Sequence, residues 1–405
     1  MKILLVNKFH YLRGGSEKYY FELANLLKEK GHQIAFFSMQ NEKNIKTGEK
    51  EYFVEELDLN TGSKLKALDV IYSKENKKKM AEALEDFKPD IVHINNFQRQ
   101  LSESIIDAIN EKNIPIVFTA HDVQAVCPAI TMLDKDKQIC ELCMKGKYFN
   151  CIKKKCIKNS NLKSVLGAIE GKYYRLKKVY NKKISYIITP SEFYKEKLIE
   201  DGENEKNIEA IHNFIHLEDY NLDISDKGYG LYIGRLAKEK GILNLVEAFS
   251  RIQGEKLYIA GDGPEKEKIE KIIENRDLQD NIKLLGYLNQ DEVKKYIKNA
   301  RFIVVPSIWY ENCPYSILET QAIGKPVIGA DIGGIPELVK DKENGLVYRY
   351  NSIDELETKM KLLFENKELA EQYGKKAKEY AEKFYNKETY YDKIIKIYEK
   401  VLKEV

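Results

Sequence analysis

Glu311 and Glu319 stand eight positions apart in the stretch PSIWYENCPYSILETQAIGKPVI. It opens at the end of an apolar run, FIVVPS, which reads as a strand, and passes through a loop into a helix. In an open α/β sheet, ligands sit beyond the carboxyl ends of the strands. One acid would then stand in the loop over that crevice and the other about two turns into the helix. Backbone N–H groups at the helix start lie between them and suit a phosphate. Two hydroxyl-binding acids flanking an anion site read as a pocket for a sugar nucleotide. Spacing alone equally fits two solvated acids beside a surface helix, so the neighbouring residues have to decide.

Those neighbours carry complementary charge. GRLAKEKG places Arg235 at the end of another strand and Lys240 just before a helix. A fixed guanidinium and a mobile ammonium can together neutralise a pyrophosphate and stabilise it as a leaving group. AGDGPE adds Gly261 and Gly263 at the next strand end, where a backbone could approach a nucleotide. Gly14 and Gly15 follow the first strand and precede a helix, and their lack of side chains opens the same approach. The full G-x-G-x-x-G pattern is absent, which argues against a conventional NAD site. His121 closes the run PIVFTAH and is followed by Asp122. A histidine there can donate to a substrate or shuttle a proton, or serve structurally.

Five of the six cysteines, Cys127, Cys140, Cys143, Cys151 and Cys156, crowd into thirty residues. One C-x2-C pair with two further thiols fits a tetrahedral structural zinc site, one thiol being spare. Free thiols and, less favourably, an iron–sulfur cluster are the other readings.

These residues need strand ends to hold them. KILLVN, QIAFFS, DIVHINN, PIVFTAH, YIITPS and NIEAIHN alternate with helical stretches, and GLYIGRL, KLYIAGD, NIKLLGY, RFIVVPS, PVIGAD and LVYR repeat the plan. Short apolar runs between helices predict parallel sheets covered on both faces. The fold class is α/β, with two doubly wound, Rossmann-like domains facing a cleft. The expected boundaries are 1–222 for the first domain, with a Cys-rich insertion at about 123–161, and 223–385 for the second. A closing helical stretch follows at 386–405. A polar linker is read near 217–228.

The 405 residues are 43% hydrophobic and 32% charged, as in a soluble globular protein, and the net charge is +3. The N-terminus reads as a strand and not a signal peptide, so a cytoplasmic location is expected. Charge is uneven: residues 145–183 hold 13 Lys/Arg against the single acid Glu170, so this segment carries +12 and the rest nets −9. Such a block attracts anionic membranes or nucleic acid. No stacking aromatics or recognition helix support nucleic acid, which is excluded as a partner. Peripheral contact with the inner face of an anionic membrane stays open, against the plainer reading of a lysine-rich surface. Within the block, Leu162, Val165, Leu166, Ile169, Tyr173, Leu176 and Tyr180 form one apolar stripe. Packing on the domain core is the expected arrangement for it.

Taken in order, the Gly14–Gly15 turn, His121–Asp122, GRLAKEKG, AGDGPE, the E-x7-E pair and GGIPELV with NGLVY resemble the retaining glycosyltransferases of family 4, with the GT-B fold. The resemblance implies that the second domain binds a nucleotide-diphosphate sugar (UDP- or GDP-linked) and the first a glycan or lipid-linked acceptor. Arg235 and Lys240 would hold the diphosphate, Glu319 the ribose and Glu311 the sugar. Tyr315 and Ser316 would join the donor contacts, with Gly14, Gly15, Gly261 and Gly263 near the nucleotide. His121 would lie near the reaction centre. The resemblance also implies no metal in catalysis, a last helix that crosses back to the first domain, and a setting in bacterial surface polysaccharide synthesis. Pro314–Tyr315 replaces the Phe-Gly pair common in the family, so donor identity does not carry over, and the Cys-rich insertion belongs only to a subset. A sugar-nucleotide 2-epimerase and a non-catalytic sugar-nucleotide-binding protein are the rival readings.

Overall fold

The computed structural model describes residues 1–57 and 69–404. The described chain forms two compact units. One comprises Met1–Ile211 together with the chain from Tyr390 onward, the other His212–Thr389. Residues 212–222, assigned to the first domain from sequence, pack in the second. Their anchors there are Asn213 Nδ2, which donates to the Cys313 carbonyl at 3.3 Å, and the Tyr220 hydroxyl, which donates to Glu319 at 3.1 Å.

The first unit is built on strands β1 (Lys2–Asn7), β2 (Gln33–Met39), β3 (Lys50–Val54), β4 (Ile91–Asn96), β5 (Ile116–Thr119), β6 (Tyr186–Thr189) and β7 (Ile208–Ala210). They form one sheet in the order β3-β2-β1-β4-β5-β6-β7, with parallel pairing throughout. β1 is central, with Ile3 opposite Ile34 on one side and Ile91 on the other. Its residues Ile3 to Val6 are fully buried, as a strand covered on both faces requires. β3 was not anticipated. Its sequence, KEYFV, is half-buried and polar at its start, which is how an edge strand blunts its open side.

The second unit holds β8 (Tyr229–Ile233), β9 (Lys256–Ala260), β10 (Ile282–Gly286), β11 (Phe302–Val305), β12 (Val327–Ala330) and β13 (Gly345–Tyr348). Their order is β10-β9-β8-β11-β12-β13, again parallel. Both sheets reverse their winding beside the first strand, the doubly wound plan expected from the alternating pattern.

The last helix, Lys387–Lys403, lays Tyr390, Ile394, Ile397, Tyr398 and Val401 into the first unit. Polar contacts fix it there. Tyr398 hydroxyl and His93 Nδ1 are 2.6 Å apart, His93 Nε2 and Thr119 Oγ1 are 2.8 Å apart, and Tyr19 bonds both Thr119 and Tyr390. Burial, with a smaller push from His121, lowers the His93 pKa to about 3. As pH falls below 6.5 the unfolded chain therefore takes up a proton that folded His93 refuses, and stability is lost down to about pH 3. A His93→Gln variant lacks this loss. The stability advantage of wild type over the variant should shrink by about 2–3 kcal/mol between pH 7 and pH 4.5. Urea unfolding at the two pH values measures it, and parallel stabilities would show that His93 titrates normally.

The basic stretch behaves differently from expectation. Its helix runs Asn161–Leu176 and buries Ser164, Gly167, Ala168, Glu170 and Tyr174, while Leu162, Ile169 and Leu176 are exposed. The small side is the inward one because neighbours press on it. A Cβ on Gly167 would lie 2.4 Å from Ile157 Cδ1, and one on Gly171 would lie 3.3 Å from the Tyr148 ring. Of the stripe assigned to the core from its period, Leu162, Ile169 and Leu176 thus face outward, Val165, Leu166 and Tyr173 are half-buried, and Tyr180, beyond the helix, is buried.

Candidate functional site

In the second unit, the loop after β11 turns Glu311 inward to 7% exposure. A carboxylate so placed needs partners, and it has three on one oxygen. Glu311 Oε1 accepts from Lys240 Nζ at 2.6 Å, Ser307 Oγ at 2.6 Å and Trp309 Nε1 at 2.8 Å. Burial alone would raise its pKa, but Lys240, Ser307 and Trp309 outweigh that and hold it below the usual carboxylate range. The Lys240 ammonium also lies 5.0 Å from the Trp309 ring centre, a favourable cation–π placement. Lys240 ends a short turn after β8, so two strand ends meet through one ion pair.

Arg235 lies between β8 and that turn with its side chain exposed, and its carbonyl accepts from the Tyr232 hydroxyl at 2.8 Å. The helix Tyr315–Ile323 starts between the two glutamates, as expected, with Tyr315 buried and Ser316 half-buried in its first turn. Glu319 is half-buried one turn on and accepts from Tyr220. The structure therefore joins Lys240 to Glu311, and ties Glu319 to a separate partner.

Gly261 and Gly263 were expected where a backbone meets a nucleotide. On its Cβ side Gly261 meets protein: at φ +133°, a Cβ there would lie 1.9 Å from the Gly234 carbonyl oxygen. Gly263 abuts Leu236 in the same way. Both positions are used to seat the β9 loop against the β8 loop that carries Arg235.

In the first unit, His121 follows β5 and its Nε2 is 3.0 Å from Asn95 Oδ1. Burial pushes the imidazole pKa down to about 3, so the ring is neutral at pH 7. The Tyr19 ring packs edge-on to it at 4.6 Å. Gly14 and Gly15 are exposed at the start of the helix Gly15–Glu29. A Cβ on Gly14 would meet nothing nearer than Glu17 Oε2 at 3.9 Å, and its backbone is extended. Gly14→Ala should therefore leave the melting temperature unchanged, while a ligand that uses the open surface would bind more weakly. Equal donor KM in wild type and variant would remove Gly14 from the site.

Charged residues that the sequence did not single out gather near His121–Asp122. Lys8 follows β1; burial lowers its pKa while Asp122, Glu17 and Glu170 pull it upward. Arg99 N–H donates to Glu170 Oε1 at 2.9 Å and its guanidinium to the Pro128 carbonyl at 2.5 Å. Glu170, the one acid of the basic segment, is thereby an internal anchor; Gln124 also donates to it at 3.3 Å.

All five thiols of the insertion are free. Cys143 and Cys151 pack with Tyr148 and Ala168, and Cys156 lies against them. The Cys151 thiol donates to Cys156 and lowers the pKa of the latter to about 7. Among the described residues, no three His, Cys, Asp or Glu side chains are grouped so as to hold a metal ion. The cysteines of the insertion nonetheless draw together: Cys127, Cys156 and Cys140 lie near enough to Cys143 to add to the burial that pushes its thiol pKa up to about 12.

Residues 13–219 match the family described as Glycosyltransferase Family 4, and residues 218–380 match Glycosyl transferases group 1. The chain belongs to glycosyltransferase family 4. An uncharacterized glycosyltransferase of Methanocaldococcus jannaschii is 32% identical over 219 residues, which are 54% of this chain and 60% of that protein. A poly(ribitol-phosphate) alpha-N-acetylglucosaminyltransferase of Staphylococcus aureus is 27% identical over 48% of this chain and 40% of its own length. The chain thus spans less than two thirds of the length of each of these relatives. Among solved structures, HepE of Anabaena in complex with UDP and glucose superposes with a TM-score of 0.70 at 17% identity, covering 98% of both chains. That likeness extends the two-domain, parallel-sheet GT-B architecture of the family to the full described chain.

Proposed function

We propose that this family 4 member transfers a sugar from a nucleotide-diphosphate sugar, UDP- or GDP-linked, to a glycan or lipid-linked acceptor in cytoplasmic assembly of a surface polysaccharide. The observation that carries the reading is the buried Glu311 carboxylate held by Lys240 beside the exposed Arg235. Two cations on the segment that follows β8 give the diphosphate leaving group a positive cradle. In this proposal Glu311 orients Lys240 and contacts the sugar, Glu319 takes the ribose hydroxyls, and Tyr315 and Ser316 line the approach. His121, neutral at pH 7 with its ring N–H given to Asn95 Oδ1, is assigned a place near the reacting carbon. Retention follows from front-face attack, in which the departing phosphate accepts the acceptor's proton. Positive side chains take the charge-neutralising role, so catalysis proceeds without a metal. The activity of the Staphylococcus aureus relative on poly(ribitol-phosphate) and the UDP and glucose bound to HepE favour this donor and acceptor class.

The test is release of nucleoside diphosphate from a panel of UDP- and GDP-hexoses, with and without a lipid-linked glycan. Acceptor-dependent release, an unchanged anomeric configuration by NMR and insensitivity to EDTA are expected. Donor conversion without transfer would identify an epimerase, and binding with neither outcome a non-catalytic receptor.

A further inference from the structure

The helix Asn161–Leu176 is amphipathic in the reverse sense: its small and polar residues face the protein and its large apolar ones face out. Leu162, Ile169 and Leu176 are 64%, 47% and 69% exposed, and they recur every seven residues. Two heptads bring them onto one line about 21 Å long. Val165, Leu166 and Tyr173, half-buried, widen that line into a face. The helix Phe149–Lys153 packs against this one and carries Phe149, 73% exposed, and Leu142 just before it is also exposed. Five of the large exposed hydrophobics therefore fall within thirty-five residues. Patches of this kind on a folded surface mark an interface.

Charge identifies the occupant. Lys172 and Lys177 are exposed and border the stripe on the same helix, within a segment of 13 cations and one acid. That acid, Glu170, is buried and held by Arg99, so it does not offset the surface charge. Lys154, Arg175 and Lys183 are engaged by Asp134, Asp201 and the pair Glu103 and Asp107, whereas Lys172 and Lys177 form no ion pair among the described residues. Lysine is depleted from the cores of protein–protein interfaces, whereas an apolar stripe edged by lysines is the pattern of a helix lying in the headgroup region of an anionic bilayer. At sixteen residues the helix is shorter than the roughly twenty needed to span a hydrocarbon core.

We propose that the outward face of the helix Asn161–Leu176 is a docking surface for an anionic lipid bilayer. Apolar side chains enter the headgroup layer and the lysines pair with lipid phosphates. The proposal is independent of the transferase reading, since vesicle binding needs neither donor nor acceptor.

The experiment is flotation of the full chain with phosphatidylcholine vesicles, alone or with about one third phosphatidylglycerol. Two variants accompany wild type: Leu162→Gln with Ile169→Gln and Leu176→Gln, and Lys172→Glu with Lys177→Glu. Because all five side chains are exposed, melting temperatures should match wild type. Wild type is expected on the anionic vesicles only, with binding weakened by salt and at least tenfold by either variant. Failure to float with anionic vesicles, or equal flotation of the triple glutamine variant, would overturn the proposal. So would a dimer by light scattering that the triple variant dissolves while vesicle binding is nil, because the stripe would then join two copies of the chain.

Discussion

Lys240→Ala is expected to lower kcat/KM for sugar transfer by about 10²- to 10³-fold, the range seen when one preorganised charge-stabilising donor is removed. Two losses combine in that number. The diphosphate loses a cation, and Glu311 loses the strongest of its partners while staying buried. An uncompensated buried carboxylate costs about 3–5 kcal/mol in comparable pairs, part of it recovered here by Ser307 and Trp309. The variant should therefore melt lower as well. A double-mutant cycle with Glu311→Gln separates the parts: if the pair works as a unit, the double variant should be barely worse than either single one. Transfer within threefold of wild type in Lys240→Ala would dispose of the assignment.

Gly333→Ala should be damaging for a purely steric reason. Gly333 has φ +59°, and a Cβ there would lie 2.3 Å from the Glu311 carbonyl oxygen and 2.8 Å from its nitrogen. The neighbouring Gly334 N–H donates to that same carbonyl at 2.8 Å, so the two loops are pinned where the methyl group would have to fit. Backbone against backbone has no rotamer to give way. A loss of about 2–4 kcal/mol is expected, combining the left-handed backbone with the clash. That corresponds to roughly 5–15 °C in melting temperature for a unit of this size. Because the displaced segment carries Glu311, kcat/KM should fall by about 10²-fold even at temperatures where the variant stays folded. A fully active variant with an unchanged melting temperature would mean that the Glu311 loop is looser than its contacts imply.

Much of this architecture was legible in the sequence because buried parallel strands write themselves as continuous apolar runs. Twelve such runs were recognised, and each became a strand. KEYFV escaped because an edge strand needs only one apolar side, and its charged start reads as loop. The helix at Asn161–Leu176 shows a different limit. Periodicity reveals that a helix has two unlike faces, but not which one the protein covers; that depended on Gly167 and Gly171 admitting Ile157 and Tyr148. E-x7-E and GRLAKEKG mark the two segments that meet at Glu311 and Lys240. The bond between Lys240 and Glu311 was not visible, because it joins residues 71 apart in the chain. Ser307 and the single tryptophan, Trp309, lay inside the highlighted stretch and went unnoticed, since a donor to a buried acid is recognised only once the acid is known to be buried. Lys8, Arg99 and Glu170 come from three unrelated loops and helices and leave no local pattern.

The last helix has a consequence for how the chain is made. Tyr390 and Tyr398 complete a hydrogen-bonded core whose other members, Tyr19, His93 and Thr119, are translated first. The amino-terminal part of the first unit therefore emerges from the ribosome with a gap in its interior that the residues from Tyr390 onward fill, whereas residues 212–389 are all available before them. Vectorial folding would then complete the second unit first, and the nascent first unit would wait, with its apolar seam open, for Tyr390 and Tyr398 to be made. Losing that helix would be felt at Tyr19 and His93, hundreds of residues upstream.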